Sequence, residues 1–150
     1  MSKKFKMKNI ICFLIIISLV SCSSRKEIVL QKIENFRSEK KEWDDLTKRI
    51  LNDKTVNSKL GLLIEPEELD DSLANELLKK EIVYITVGNN KDCQRVEYQK
   101  CWENAIGTQY LIWTTCDILK TKKGYYEDLS PIEVFGIGEK WLTWIDTDPI

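Results

Sequence analysis

The chain has 150 residues, with 23 basic and 24 acidic side chains and no histidine. Without imidazole, Ser-His-Asp and Cys-His catalysis are excluded and the commonest metal ligand is missing, which leaves carboxylate, lysine or tyrosine chemistry. The charge balance argues against nucleic acid as a partner and against a polybasic grip on anionic lipid.

At the N-terminus Lys3, Lys4, Lys6 and Lys8 precede an uncharged stretch, residues 9–24, whose apolar centre is residues 10–20. Such a centre makes a helix of about 16 Å, half of the ~30 Å a membrane span must cross. It therefore reads as the basic and hydrophobic regions of an export signal. The signal ends in Leu19-Val20-Ser21-Cys22, an apolar pair and a small residue before cysteine, and this resembles the lipobox of bacterial lipoproteins. The resemblance covers the signal region alone. It implies that the Cys22 thiol receives a diacylglycerol, that cleavage just before Cys22 makes it the first mature residue, and that its amine is acylated too. Cys12 would leave with the signal. Two or three acyl chains, at ~0.8 kcal/mol per buried methylene, anchor a protein durably where one chain is marginal.

The expected organisation is a signal peptide at 1–21, a short lipidated tether at 22–26 that keeps the head close to the bilayer, and a single domain at 27–150. The signal takes four lysines and no acid, so the mature part holds 19 basic and 24 acidic residues, a net charge of −5. Its length suits one core and requires no second domain.

From Glu27 to about Leu51, apolar residues at Val29, Ile33, Phe36, Trp43, Leu46 and Ile50 form one helical stripe, interrupted by Lys40. The opposite face is mixed charge and predicts solvent. Residues 52–58 are polar and turn-prone, and residues 60–64 form an apolar run that fits either a strand or a buried loop. A second helix is predicted from Pro66, with Glu65, Glu67, Glu68, Asp70 and Asp71 at its positive end and Lys79 and Lys80 at its close. Leu69, Leu73, Ala74, Leu77 and Leu78 would be its buried face. The five acids lack the alternating ligand spacing and central glycine of a calcium loop, so they read as capping and no metal is expected.

From Glu81 the texture becomes β-branched and aromatic, which predicts strands. Residues 82–87 alternate with Val83, Ile85 and Val87 on one face, and residues 88–92 supply a loop. Residues 93–98 fit a returning hairpin arm, although 94–102 fit a helical turn as well. Residues 109–117 are apolar on both faces and should lie centrally in the sheet. Residues 120–128 read as a charged loop, and 132–137 and 141–145 as a terminal hairpin around Gly138-Glu139-Lys140. The fold class is thus α+β, with two N-terminal helices packed on a mostly antiparallel sheet of about four to five strands.

Three cysteines remain in the domain: Cys93, Cys101 and Cys116. One bridge plus a free, buried thiol is compatible with an oxidising compartment, as is no bridge, and Cys93 with Cys101 or Cys116 is the favoured pairing. Trp102, Trp113, Trp141 and Trp144 read as core on alternating strands. Tyr125 and Tyr126, adjacent in a charged loop, are hard to bury together and are the candidate partner contact. Asp117, Glu127, Asp128, Asp146 and Asp148 offer a carboxylate pair only if the fold assembles one. Ser130-Pro131 lacks the glycines of a nucleophile elbow, and Gly136-Ile137-Gly138 lacks the strand-to-helix setting of a dinucleotide loop, so no catalytic residue and no cofactor is expected.

These readings point to a lipid-anchored protein of the cell or outer membrane, on the exported side. Its partners would be the membrane, through the lipid, and another envelope protein that it engages as an inhibitor, immunity factor or assembly partner. An envelope-polymer hydrolase using a carboxylate pair and a structural envelope lipoprotein are the alternatives.

Overall fold

The computed structural model describes residues 24–90 and 92–148. The expected signal segment, Cys12 and Cys22 lie outside the described residues, as does Ser23. No helix among the described residues is long and apolar enough to cross a membrane.

The chain opens with α1 (Arg25–Asn52), two residues earlier than the stripe predicts, so the end of the expected tether is helix. Ser24 caps it: its hydroxyl accepts from Glu27 N, and the Glu27 carboxylate accepts from Ser24 N. The predicted stripe is the buried face, joined by Thr47. Lys40, which breaks the stripe, reaches Asp44 at 2.6 Å and Glu139 at 2.7 Å, and these hydrogen bonds, to Asp44 first, hold its ammonium above the ordinary lysine pKa.

A short α2 (Lys54–Ser58), capped by Asp53, occupies the segment expected to be turn. The apolar run after it enters β1 (Leu63–Ile64), of which only Ile64 is buried. The predicted second helix is broken in two. A 3-10 turn at Pro66–Glu68 stops at Leu69, and α3 (Asp71–Lys79) starts afresh. The break is at Asp70, whose extended backbone lets its carboxylate accept from Ser72 N and Leu73 N. Leu69, Leu73 and Leu77 are buried as predicted, whereas Leu78 is 46% exposed.

The strands that follow are β2 (Ile82–Asn90), β3 (Cys93–Glu103), β4 (Gly107–Thr114), β5 (Tyr126–Leu129), β6 (Ile132–Gly138) and β7 (Trp141–Asp146). With β1 they form one seven-stranded sheet in the order β1-β2-β3-β4-β7-β6-β5, antiparallel at every pairing. The expectation of two helices on four to five strands is therefore corrected, among the described residues, to one long helix, two short ones and seven strands. The strands beyond it are the two edges, β1, whose segment the sequence leaves open between strand and loop, and β5, which it reads as loop. They are short and largely exposed, so neither carries the alternation of a half-buried strand.

Other differences have local causes. The residues expected as a loop at 88–92 continue the β2–β3 hairpin to Asn90 opposite Cys93. The register shifts between Ile82 and Tyr84, so Ile82 joins Ile85 and Val87 in the core and Val83 does not. β4 lies at the centre of the strand order, as its two apolar faces predict.

The core lies between α1 and one face of the sheet. Phe36 and Trp43 of α1 meet Tyr98 of β3 and Trp141 of β7 in an aromatic cluster with ring centroids 4.9–6.3 Å apart. Its polar atoms are paired: Trp141 Nε1 donates to Asp44 Oδ1 at 2.8 Å, and the Tyr98 hydroxyl bonds Thr47 Oγ1 at 2.7 Å. Burial pushes the Tyr98 pKa well above its ordinary value.

Candidate functional site

Tyr125 and Tyr126 are not one patch. Tyr125 ends the loop just before β5 and packs beside Ile112, Val134 and Leu142 on the sheet face without helices. Tyr126 turns to the helix face, packs tilted against Phe135 with ring centroids 5.0 Å apart and lies under Lys26 Nζ at 4.2 Å. Both hydroxyls are engaged, Tyr125 with Glu127 at 2.9 Å and Tyr126 with Glu133 at 3.0 Å, and these bonds to carboxylates raise both phenol pKa values.

The helix-free face is largely closed by its own side chains. Ile112, Val134 and Leu142 are buried there beneath Tyr110, Tyr125, Ile132 and Trp144. Arg95 lies over the Trp144 ring at 4.4 Å, with Nε 2.8 Å from Glu97 Oε1. Trp144 Nε1 and Arg95 Nη2 are buried with no hydrogen-bond partner among the described residues.

Three of the five candidate carboxylates are used locally. Glu127 serves Tyr125 and Lys120, Asp128 caps Ser130 N at 3.0 Å, and Asp146 accepts from Asp148 N at 3.0 Å. Among the described residues no three or more Cys, Asp or Glu side chains are grouped as a metal site.

The cysteines pair as Cys93–Cys116, with Cα atoms 5.1 Å apart, and Cys101 keeps an exposed rather than a buried thiol. This bridge ties the start of β3 to the segment after β4. There Thr115 N donates to Gln94 O at 2.9 Å, and Gln94 N donates to Thr115 Oγ1 at 2.8 Å. The segment then turns on itself, with Thr121 N donating to Asp117 O and Thr121 Oγ1 to Ile118 O. It closes onto β6 through Gly124 N to Gly136 O and Gly136 N to Tyr125 O. The loop at 117–124 is therefore built, not slack.

Between this loop, α1 and the β6–β7 turn lies an open groove of about 730 Å³. Its lining includes Arg37, Lys40, Lys122, Lys123 and Lys140, with Glu139 the one acid. Ile137 and Ile118, the latter 72% exposed, are its aliphatic lining, and Leu119, 61% exposed, follows Ile118 in the chain just outside that lining. Arg37 is fixed by donating to Ile137 O from Nε at 3.3 Å and Nη2 at 3.1 Å. The turn holds Glu139 and Lys140 at φ 50° and 75°, left-handed positions that hairpins ordinarily give to Asn and Gly. Their side chains are what that backbone provides: Glu139 reaches Lys40, and Lys140 lies 5.4 Å over the Trp113 ring.

Reading the sequence singles out none of the groove lysines. The available signal is the run Ile118-Leu119-Lys120-Thr121-Lys122-Lys123, an aliphatic pair followed by three cations in one loop.

Gly136 is the loop's seat. A Cβ there would fall within van der Waals distance of the Lys122 and Lys120 carbonyl oxygens. Gly136→Ala is expected to lift the loop and destabilise the domain by about 1–3 kcal/mol, the usual range for overpacking. Urea unfolding checks the stability, and faster amide exchange at residues 118–124 than in β4 checks the site. Unchanged exchange in the loop would refute the seating.

Protein-family models, curated proteins and solved structures give no match to this chain.

Proposed function

We propose that the chain is a lipid-anchored cell-envelope protein that works as a non-enzymatic binding module, as an inhibitor, immunity factor or assembly partner of another envelope protein. The observation that supports a binding role is the groove. A protein with acids in excess gathers five basic side chains around one groove and exposes Ile118 in its lining, with the exposed Leu119 next in the chain. Exposed aliphatic side chains beside unpaired charge mark recognition surfaces more often than catalytic ones.

The support for export is the signal-like N-terminus with its lipobox resemblance, and the Cys93–Cys116 bridge, a kind of bond that persists in oxidising compartments. Anchorage at Cys22 would confine the head to one surface and raise its effective concentration for neighbours there.

In its own cells, the wild-type chain is expected in the membrane fraction and the Cys22→Ser variant in the soluble exported fraction or uncleaved. Fractionation with immunodetection, and the mass of the mature N-terminal peptide, read this directly. A Cys22→Ser variant that is cleaved and held on the membrane as before would overturn the lipid anchor.

A further inference from the structure

We infer that the groove bounded by α1, the 117–124 loop and the β6–β7 turn takes an acidic, aliphatic-bearing peptide segment of a partner protein. This rests on the binding-module reading and names the chemistry of what is bound.

Charge sets the first requirement. Lys40 is neutralised by Asp44 and Glu139, and Arg37 by Glu34, while Arg37 also donates to the Ile137 carbonyl. Lys122, Lys123 and Lys140 have no carboxylate within 4.0 Å among the described residues. With Lys140 over the Trp113 ring, and Lys122 and Lys123 lining the groove without a carboxylate among the described residues, the lining calls for an occupant carrying two or three negative charges. Such groups on a rim speed association and select partners more than they add affinity.

The exposed aliphatic pair sets the second requirement. Ile118 and Leu119 expose apolar area that an anionic glycopolymer or free phosphate has no group to cover, whereas a leucine or isoleucine between acids does. Size sets the third, since a groove of about 730 Å³ admits a few side chains and not a folded domain. A bilayer surface fits less well. Arg37 lies twelve residues into α1, about 18 Å from the helix start nearest the proposed anchor.

The test uses the full-length chain in its own cells, with Ile118 replaced by the photo-crosslinker p-benzoylphenylalanine. A second version carries the crosslinker in place of Leu129, at the end of β5 away from the groove. Irradiation should give a protein adduct at position 118, mapping by mass spectrometry to a segment with net negative charge and at least one aliphatic side chain. Adding Lys122→Glu and Lys123→Glu should lower that yield about tenfold. Converting two acids of the mapped segment to lysine should restore it. Irradiating isolated membranes at rising salt reads the same charge dependence without substitution.

Adducts with lipid or glycopolymer, a mapped segment without net negative charge, or a yield indifferent to charge reversal and salt would each overturn the inference. If position 118 captures nothing and position 129 captures a protein, the groove assignment fails and the binding module stands. If neither position captures a protein, both fail.

Discussion

Trp141→Ala is expected to cost about 3–5 kcal/mol, the range for emptying a fully buried tryptophan site, and to be the most damaging single change in the domain. Trp141 is 0% exposed and touches Phe36, Trp43 and Tyr98, so it joins α1 to the sheet at the point where three aromatic rings converge. Truncation removes those contacts at once and leaves a cavity that neighbouring rings cannot fill without leaving their own partners. It also deprives Asp44 of the indole donor, and Asp44 in turn holds Lys40 at the edge of the groove. Trp141→Phe keeps a ring in the cluster and loses the hydrogen bond and part of the volume, so it should cost about half as much. Urea unfolding followed by far-ultraviolet circular dichroism gives both values. A loss below about 1 kcal/mol for Trp141→Ala would mean that α1 is held to the sheet elsewhere.

Replacing both bridged cysteines, as Cys93→Ser with Cys116→Ser, should cost about 3 kcal/mol. The cross-link spans 23 residues, and opening it returns loop freedom to the unfolded chain. The second consequence is local. Cys116 lies two residues before Ile118, so the bridge sets where the 117–124 loop leaves β4 and thereby where its lysines face the groove. The double variant should unfold at a lower urea concentration and lose crosslinking at position 118 even where it remains folded. The wild-type protein should be 2 Da lighter by intact mass than its reduced form. A folded double variant that crosslinks as well as wild type would show that Gln94, Thr115 and Gly136 place the loop without help from the disulfide.

Much of the fold was legible because its signals are local. The α1 stripe repeats at the helical period, and residues 109–117 read as apolar on both faces, so one long helix and a central strand follow from spacing alone, although that strand is Gly107–Thr114. The terminal hairpin was equally plain, with two apolar strands around Gly138-Glu139-Lys140. Asp70 belongs to the residue types that cap helices, yet the continuous run of acids and leucines around it reads as one helix.

The edges were not legible, because an edge strand is defined by the neighbour it pairs with. Tyr126–Leu129 is a strand because β6 lies beside it, and nothing in its own composition requires one. Where the loop enters that strand, Tyr125 and Tyr126 turn to opposite faces, so two residues that adjacency suggests are one site are separated. Three cysteines leave the pairing open until β3 and β4 fix which two approach within bonding distance.

By itself, then, the sequence determined the broad α+β class, the long amphipathic helix and the central strand, since each is written in the spacing of neighbouring residues. Only the tertiary structure decided the seven-stranded register, the Cys93–Cys116 bridge and the groove. Arg37, Lys122, Lys123 and Lys140 come from a helix, a loop and a turn up to about a hundred residues apart. Their convergence follows from how α1 crosses the sheet and how the disulfide fixes the loop, and no local pattern of side chains encodes it.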